Sequence, residues 1–152
     1  MRILALDLGT TTGWATDAAG ELVAGSEKFA RRRDESFGMR YLRFRQWLLE
    51  LLDLNRPDLV VYEQILPHHR GALAAEVAHK FEVLVQTVLE ERGLEYATFS
   101  PGKIKRQATG KGNAKKERVI IAARERWAGH EIRDDNQADA MWLLDLAQDT
   151  FG

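Results

Sequence analysis

A chain of 152 residues with 45% apolar content and no cysteine is the size of one domain and can bury a core without disulfides. The missing cysteines exclude zinc–thiolate sites, iron–sulfur clusters and thiol nucleophiles together. With 22 basic residues against 23 acidic ones, a net charge of −1, a uniformly basic nucleic-acid protein is excluded, and any such role must come from local segregation of charge.

The elements follow in chain order. Arg2 to Leu8 is a buried-strand pattern, and Gly9-Thr-Thr-Thr-Gly13 supplies a turn into Trp14-Ala-Thr. A second turn at 17–20 leads into Glu21 to Phe29, so three antiparallel strands form a meander. From Phe37 to Leu54 the large apolar residues (Tyr41, Phe44, Trp47, Leu48, Leu51 among them) fall on one helical face, and Asn55-Arg-Pro57 stops the helix. Asp58 to Glu63 is a short apolar strand ending in an acid. Gly71 to Arg92 is helical with Gly93 as its stop, and Tyr96 to Phe99 is another strand.

Ser100-Pro-Gly102 opens a basic, glycine-containing loop reaching Asn113, and Ala114 to Trp127 is again helical. Asp134, with Gln137 three residues on, caps a final helix whose apolar stripe is Ala138, Met141, Trp142 and Leu146. The order βββαβαβαα predicts one α/β domain over residues 1–152, a mixed five-stranded sheet with helices on both faces. No run of about 18 apolar residues occurs, and the opening apolar run is too short for a secretion signal. The expectation is a soluble, cytoplasmic protein with no membrane contact.

Four acids stand where chemistry is the better explanation. Asp7 interrupts an apolar strand, and Glu63 ends another. An ionised carboxylate in such a place costs several kcal/mol, roughly, unless it is paired or bound to a cation. Asp135 and Asp139 lie one helical turn apart, so both leave the same face, and Ala138 and Ala140 let that helix approach closely. Taken singly, each acid also has an ordinary structural role as turn former, strand-end ion pair or helix-start charge. Together, with no cysteine and no histidine pair of ligand spacing, they suit hard ions such as Mg2+ or Mn2+. Two such ions per site, roughly 4 Å apart, are the apparatus of phosphodiester hydrolysis.

Charge is segregated as well. Between Lys103 and Arg118 stand seven basic residues, Lys103, Lys105, Arg106, Lys111, Lys115, Lys116 and Arg118, against the single acid Glu117. With Gly110 and Gly112 allowing close backbone approach, this segment is a candidate phosphate-binding surface. Its alternative is a solvated helix face.

Four segments resemble one family in order along nearly the whole chain. Leu4-Ala-Leu-Asp7-Leu-Gly9-Thr-Thr-Thr-Gly13-Trp-Ala15 is similar to the first strand and turn of the RuvC-type Holliday junction resolvases of the RNase H-like superfamily. Val60-Val-Tyr-Glu63-Gln is similar to their second acidic strand, Ser100 to Val119 to their basic loop, and Asp134 to Met141 to their terminal helix. The resemblance, with phage-like members included, implies an RNase H-like fold and a homodimer cutting four-way DNA junctions with Mg2+. Its products would be paired nicks with 5′-phosphate and 3′-hydroxyl ends. It implies metal binding by Asp7, Glu63 and Asp139. The fourth ligand is Asp135 or Asn136, and Asp135 is favoured as a carboxylate facing Asp139. It also implies that Lys105 and Lys116 stand beside the scissile phosphate.

Two rivals accompany this reading. Asp7-Leu-Gly-Thr-Thr-Thr-Gly13 also resembles the phosphate loop of actin- and hexokinase-like ATP-binding proteins, but the chain has no second such loop. A branched-DNA-binding protein whose catalysis has lapsed is the other. His68 and His69, lacking spaced partners, are expected to be loop residues and not ligands. Phe29-Ala-Arg31-Arg32-Arg33 is either a second backbone-binding patch or a charged connection between strand and helix, and the connection is the expectation. The tryptophans are expected in the core or a dimer contact, with Trp14 near the site.

Overall fold

The computed structural model describes residues 1–66 and 71–152; the expectation for His68 and His69 falls on 67–70, outside the described residues. Strand β1 (Ile3–Asp7) is buried at every position, as befits the middle of a sheet covered on both faces. It pairs antiparallel with β2 (Thr11–Thr16), which pairs antiparallel with β3 (Val23–Lys28). On its other side it pairs parallel with β4 (Leu59–Glu63), and β4 with β5 (Glu95–Phe99). The order β3-β2-β1-β4-β5 is the expected mixed five-stranded sheet.

Side-chain alternation along β1 and β4 divides the interior. Leu4, Leu6, Val60 and Tyr62 point into one core, filled by α1 (Met39–Asn55) and α2 (Ala72–Arg92). There Phe44 of α1 stacks on Phe81 of α2 with ring centroids 4.4 Å apart. Ile3, Ala5, Leu59 and Val61 point into the second core, filled by α3 (Pro101–Thr109), α4 (Lys116–Arg126) and α5 (Asp135–Phe151).

The termini of these helices follow from sequence chemistry. Gly93, with φ of 65°, closes α2, and its amide donates to the carbonyls of Glu90 and Leu89. The Asp134 carboxylate caps α5 by accepting the Gln137 amide at 2.8 Å. The Gln137 side chain does not complete a capping box with Asp134: it accepts the Arg133 amide at 3.1 Å and donates to the Glu131 carbonyl at 2.9 Å.

Three corrections follow. The chain ends in three helices, not two, because the first half of the basic segment is helix α3. Ser100 accepts the Lys103 amide, Pro101 occupies the first turn and Gly110 (φ 83°) ends the helix. Gly110 and Gly112 therefore serve the chain itself. The first takes a left-handed C-cap, and a Cβ on the second would lie 3.1 Å from the Arg106 guanidinium and 3.3 Å from the Gly102 carbonyl. Finally, α5 has no one-sided stripe. Leu143, Leu144 and Ala147 are buried along with Ala138, Met141 and Trp142, while Leu146 is only partly buried, because the helix lies between the sheet and α3 and α4. No helix among the described residues is long and apolar enough to cross a membrane.

Candidate active site

The same alternation that sorts the core aims the acids. Asp7 shares the face of Ile3 and Ala5, and Glu63 that of Leu59 and Val61, so both point toward the side covered by α5. Since β1 and β4 are parallel, their last residues, Asp7 and Glu63, lie at one edge of the sheet. The first turn of α5 arrives at that edge and brings Asp135 and, one turn on, Asp139.

Gly13 makes this approach possible. It is the cross-strand partner of Asp7 on β2, and a Cβ built on it would fall 1.8 Å from the backbone carbonyl oxygen of Asn136. Its φ is not in the left-handed region, so contact with α5, and not backbone conformation, excludes a side chain here. Sequence reasoning passed over this residue as part of a turn. A glycine inside a strand, the mark of close backbone approach, was the available signal.

The acids Asp7, Glu63, Asp135 and Asp139 line a single cleft of about 560 Å³, together with Asn136, Lys105 and Lys116. Thr10, Thr11 and Gln64, unremarked in the sequence, line it too. Asp7 is only 5% exposed. Lys105 comes from α3, where its neighbour Ile104 is anchored in the core at 2% exposure. Lys116 is the first residue of α4 and follows Lys115, which caps that helix without a side-chain hydrogen bond. Two cations at a helix N-terminus oppose the macrodipole, so this placement has to be explained by something other than helix stability. Lys116 Nζ lies 2.9 Å from Asp135 Oδ2.

The electrostatics of the cleft are those of crowded like charges. The Asp139 carboxyl is pushed up to about 7 by burial first, and then by Glu63 and Asp135, with Lys116 and Lys105 pulling the other way. The hydrogen bond to Asp135 raises the Lys116 ammonium, reinforced by the charges of Asp135, Asp139 and Asp7. Among the described residues no three carboxylate or imidazole groups are drawn together into a ready metal cage. The donor set fits a divalent ion in its chemistry: oxygen ligands only, in a cleft where burial first and neighbouring acids second raise the Asp139 carboxyl.

The other basic residues do not line the cleft. Lys103, Arg106, Lys111, Lys115 and Arg118 are exposed. Trp14 does not line the cleft; its ring lies across Gly25 of β3. Trp127 and Trp142 pack together in the α3–α5 core with centroids 4.6 Å apart, and Trp47 borders the other core.

No family model matches the chain. Its sequence is similar to proteins named crossover junction endodeoxyribonuclease RuvC. That of Ruegeria pomeroyi is 27% identical over 144 residues, covering 93% of this chain and 87% of the relative. That of Corynebacterium glutamicum is 27% identical over 111 residues, covering 72% of this chain but only 50% of the relative. Among solved structures, Thermus thermophilus RuvC in complex with a Holliday junction substrate superimposes with a TM-score of 0.78 at 23% identity, covering 97% of this chain and 93% of that one.

Proposed function

From the premise that this chain is a RuvC-type protein with the RuvC fold, we propose that it is a structure-selective, metal-dependent endonuclease that resolves Holliday junctions or related branched DNA. The observation that carries the proposal is the convergence of Asp7, Glu63, Asp135 and Asp139 from three separate elements into one cleft shared with Lys105 and Lys116. No requirement of folding brings four acids together, since each added charge makes the next more costly.

Residues 1–152 act as one nuclease domain in this reading, working in the cytoplasm as one half of a homodimer that nicks opposing strands. Asp7, Glu63, Asp139 and Asp135 hold the metal, and Asn136, also on the cleft wall, is the alternative to Asp135 as the fourth ligand. Two divalent ions, Mg2+ or Mn2+ in its place, supply Lewis acidity at the phosphate when bound. Lys105 and Lys116 set fixed positive charge where negative charge grows in the transition state. The Lys116–Asp135 pair holds that ammonium at the cleft wall. Lys103, Arg106, Lys111, Lys115 and Arg118 bind the phosphate backbone beyond the cleft. In the reaction, water oxygen bonds to phosphorus, the P–O3′ bond breaks and the leaving oxygen takes a proton, which gives a 5′-phosphate and a 3′-hydroxyl.

The test is incubation of an end-labelled four-way junction with the protein in Mg2+ and in EDTA. Paired, symmetric nicks that need the metal, and that vanish in Asp7→Asn while junction binding persists, are expected. Binding without nicks in any metal would leave a lapsed junction-binding protein, and full cleavage by Asp7→Asn would reject the site.

A further inference from the structure

The edge of the sheet that carries the acids also receives a basic segment that the cleft does not include. Thr11 of β2 pairs with Lys28 of β3, so β3 ends at the edge where β1, β4 and β5 end. Neighbouring strands lie about 4.8 Å apart. In the order β3-β2-β1-β4-β5, the exits of β3 and β5 therefore stand roughly 10 Å to either side of Asp7. The β5 exit leads into α3 and the lysine-bearing segment. The β3 exit leads into Phe29-Ala-Arg31-Arg32-Arg33.

This second segment is fastened to the cleft rim. The Phe29 amide donates to the Thr10 carbonyl at 2.6 Å. Arg40 clamps the same junction, donating from Nε to the Phe29 carbonyl at 2.9 Å and from Nη2 to the Thr10 hydroxyl at 3.1 Å. Thr10 itself lines the acidic cleft. Four residues of chain span about 14 Å at most, so the arginines stay within a few nucleotide steps of the acids.

Their charge is only partly offset within the chain. All three side chains are exposed. The nearby Glu35 binds Arg43 at 2.7 Å, accepts the Arg32 backbone amide at 2.7 Å and also feels the Arg32 charge, while Arg32 shares a surface hollow with Glu27 and Glu50. Arg31 is ordered without being neutralised, donating to the Glu35 carbonyl at 3.2 Å and lying 4.1 Å above the Phe37 ring. Among the described residues the Arg32 and Arg33 side chains make no ion pair. Three adjacent cations repel one another, and neither core gains from them.

We propose that Arg31, Arg32 and Arg33 form a second phosphate-backbone site, which grips the DNA on the side of the cleft opposite the α3–α4 lysines; this rests on the nuclease reading above. The strand being cut then crosses the sheet edge over basic, acidic and again basic ground. Arg40 is a positioning residue for this site.

The test measures binding of a fluorescent four-way junction in EDTA at several salt concentrations. Each phosphate contact contributes about 0.9 to the slope of log affinity against log salt. Arg32→Ala/Arg33→Ala should therefore flatten the slope by roughly 1.8 and weaken binding at about 0.1 M salt by at least an order of magnitude. Arg32→Lys/Arg33→Lys should restore the slope, and all variants should keep the wild-type melting temperature. Arg45→Ala/Arg92→Ala, which removes two charges remote from this edge of the sheet, should leave the slope unchanged. An unaltered slope in Arg32→Ala/Arg33→Ala, with wild type binding and nicking, overturns the second site and leaves the nuclease standing. An equal loss in the remote variant overturns it as well. A wild-type protein without affinity for the junction overturns both readings.

Discussion

Replacing Gly13 by alanine adds one methyl group at the place where the sheet and α5 touch backbone to backbone. The new carbon would stand 1.8 Å from the Asn136 carbonyl oxygen, against an ordinary contact of about 3.4 Å, so roughly 1.6 Å has to be found by moving β2 or the first turn of α5. Neither is a flexible side chain. β2 is held between β1 and β3, and α5 is pinned by Ala138 and Ala140, each fully buried, and by Ser26 Oγ donating to Asp134 at 2.7 Å. Overpacking of this kind costs about 1–3 kcal/mol, which for a chain of this length lowers the melting temperature by roughly 3–10 °C.

The larger effect falls on the chemistry. Asp135 and Asp139 ride on the displaced turn while Asp7 stays on β1, and a misplacement of about 1 Å in a reacting constellation can cost on the order of 100-fold in rate. Single-turnover nicking of a four-way junction in Mg2+, with calorimetry on the same preparation, measures both. The expected result is a folded protein that binds the junction within a few-fold of wild type and nicks it at least about 100-fold more slowly. Wild-type nicking by Gly13→Ala would refute the claim that the Gly13–Asn136 contact sets the register of the acids.

Asp139→Asn should stabilise the metal-free protein while abolishing cleavage. The Asp139 carboxyl stands near 7 in the folded chain against an ordinary 3.8, so the folded state binds the proton more tightly. Stability contributed by the protonated form is present at low pH and lost as pH rises through about 7. At about 1.4 kcal/mol per tenfold change in acidity the ceiling is about 4 kcal/mol, and about 2 kcal/mol above pH 7 is expected, since neighbouring acids can take up part of the proton's role. Melting curves from pH 4 to 8 should show the variant's advantage growing through neutrality; a constant difference would refute the assignment. Lys116→Ala should slow nicking by about 100-fold with little change in junction affinity, and a larger loss in binding than in rate would make Lys116 a backbone contact. Asp145 is buried between α3 and α4, accepting Arg126 at 2.6 Å and Gln107 at 2.6 Å. Asp145→Ala should lower stability by about 2 kcal/mol in calorimetry, below the cost of a fully buried pair because Arg126 is half exposed, and unchanged melting would show that Asp145 is not needed to hold α3.

Much of this molecule can be read along the chain. Apolar runs of five or six residues ending at Asp7 and Glu63 are strands because no turn residue interrupts them, and the stops at Arg56–Pro57 and Gly93 appear where expected. The acids were legible because a carboxylate in an apolar strand is a local contradiction. Helix α3 was not, since Gly102 and the charges around it mask a capping serine and a first-turn proline that only the hydrogen bond from Lys103 makes evident. That the Trp14 ring crosses Gly25 of β3 was not legible, because position after a turn does not reveal which strand a ring will cross.

What the sequence by itself determined is which residues have to be buried and which of them carry charge into the interior: alternation and capping are local, and local chemistry dictates them. The tertiary structure alone decided that Asp7, Glu63, Asp135 and Asp139 share a cleft, that Lys116 meets Asp135, and that α5 meets the sheet backbone to backbone at Gly13. The reason is physical. Convergence depends on parallel strands ending at one edge and on how near a helix can come to a sheet, and these are distances between segments up to 132 residues apart in sequence, from Asp7 to Asp139, on which neighbouring residues along the chain carry no information.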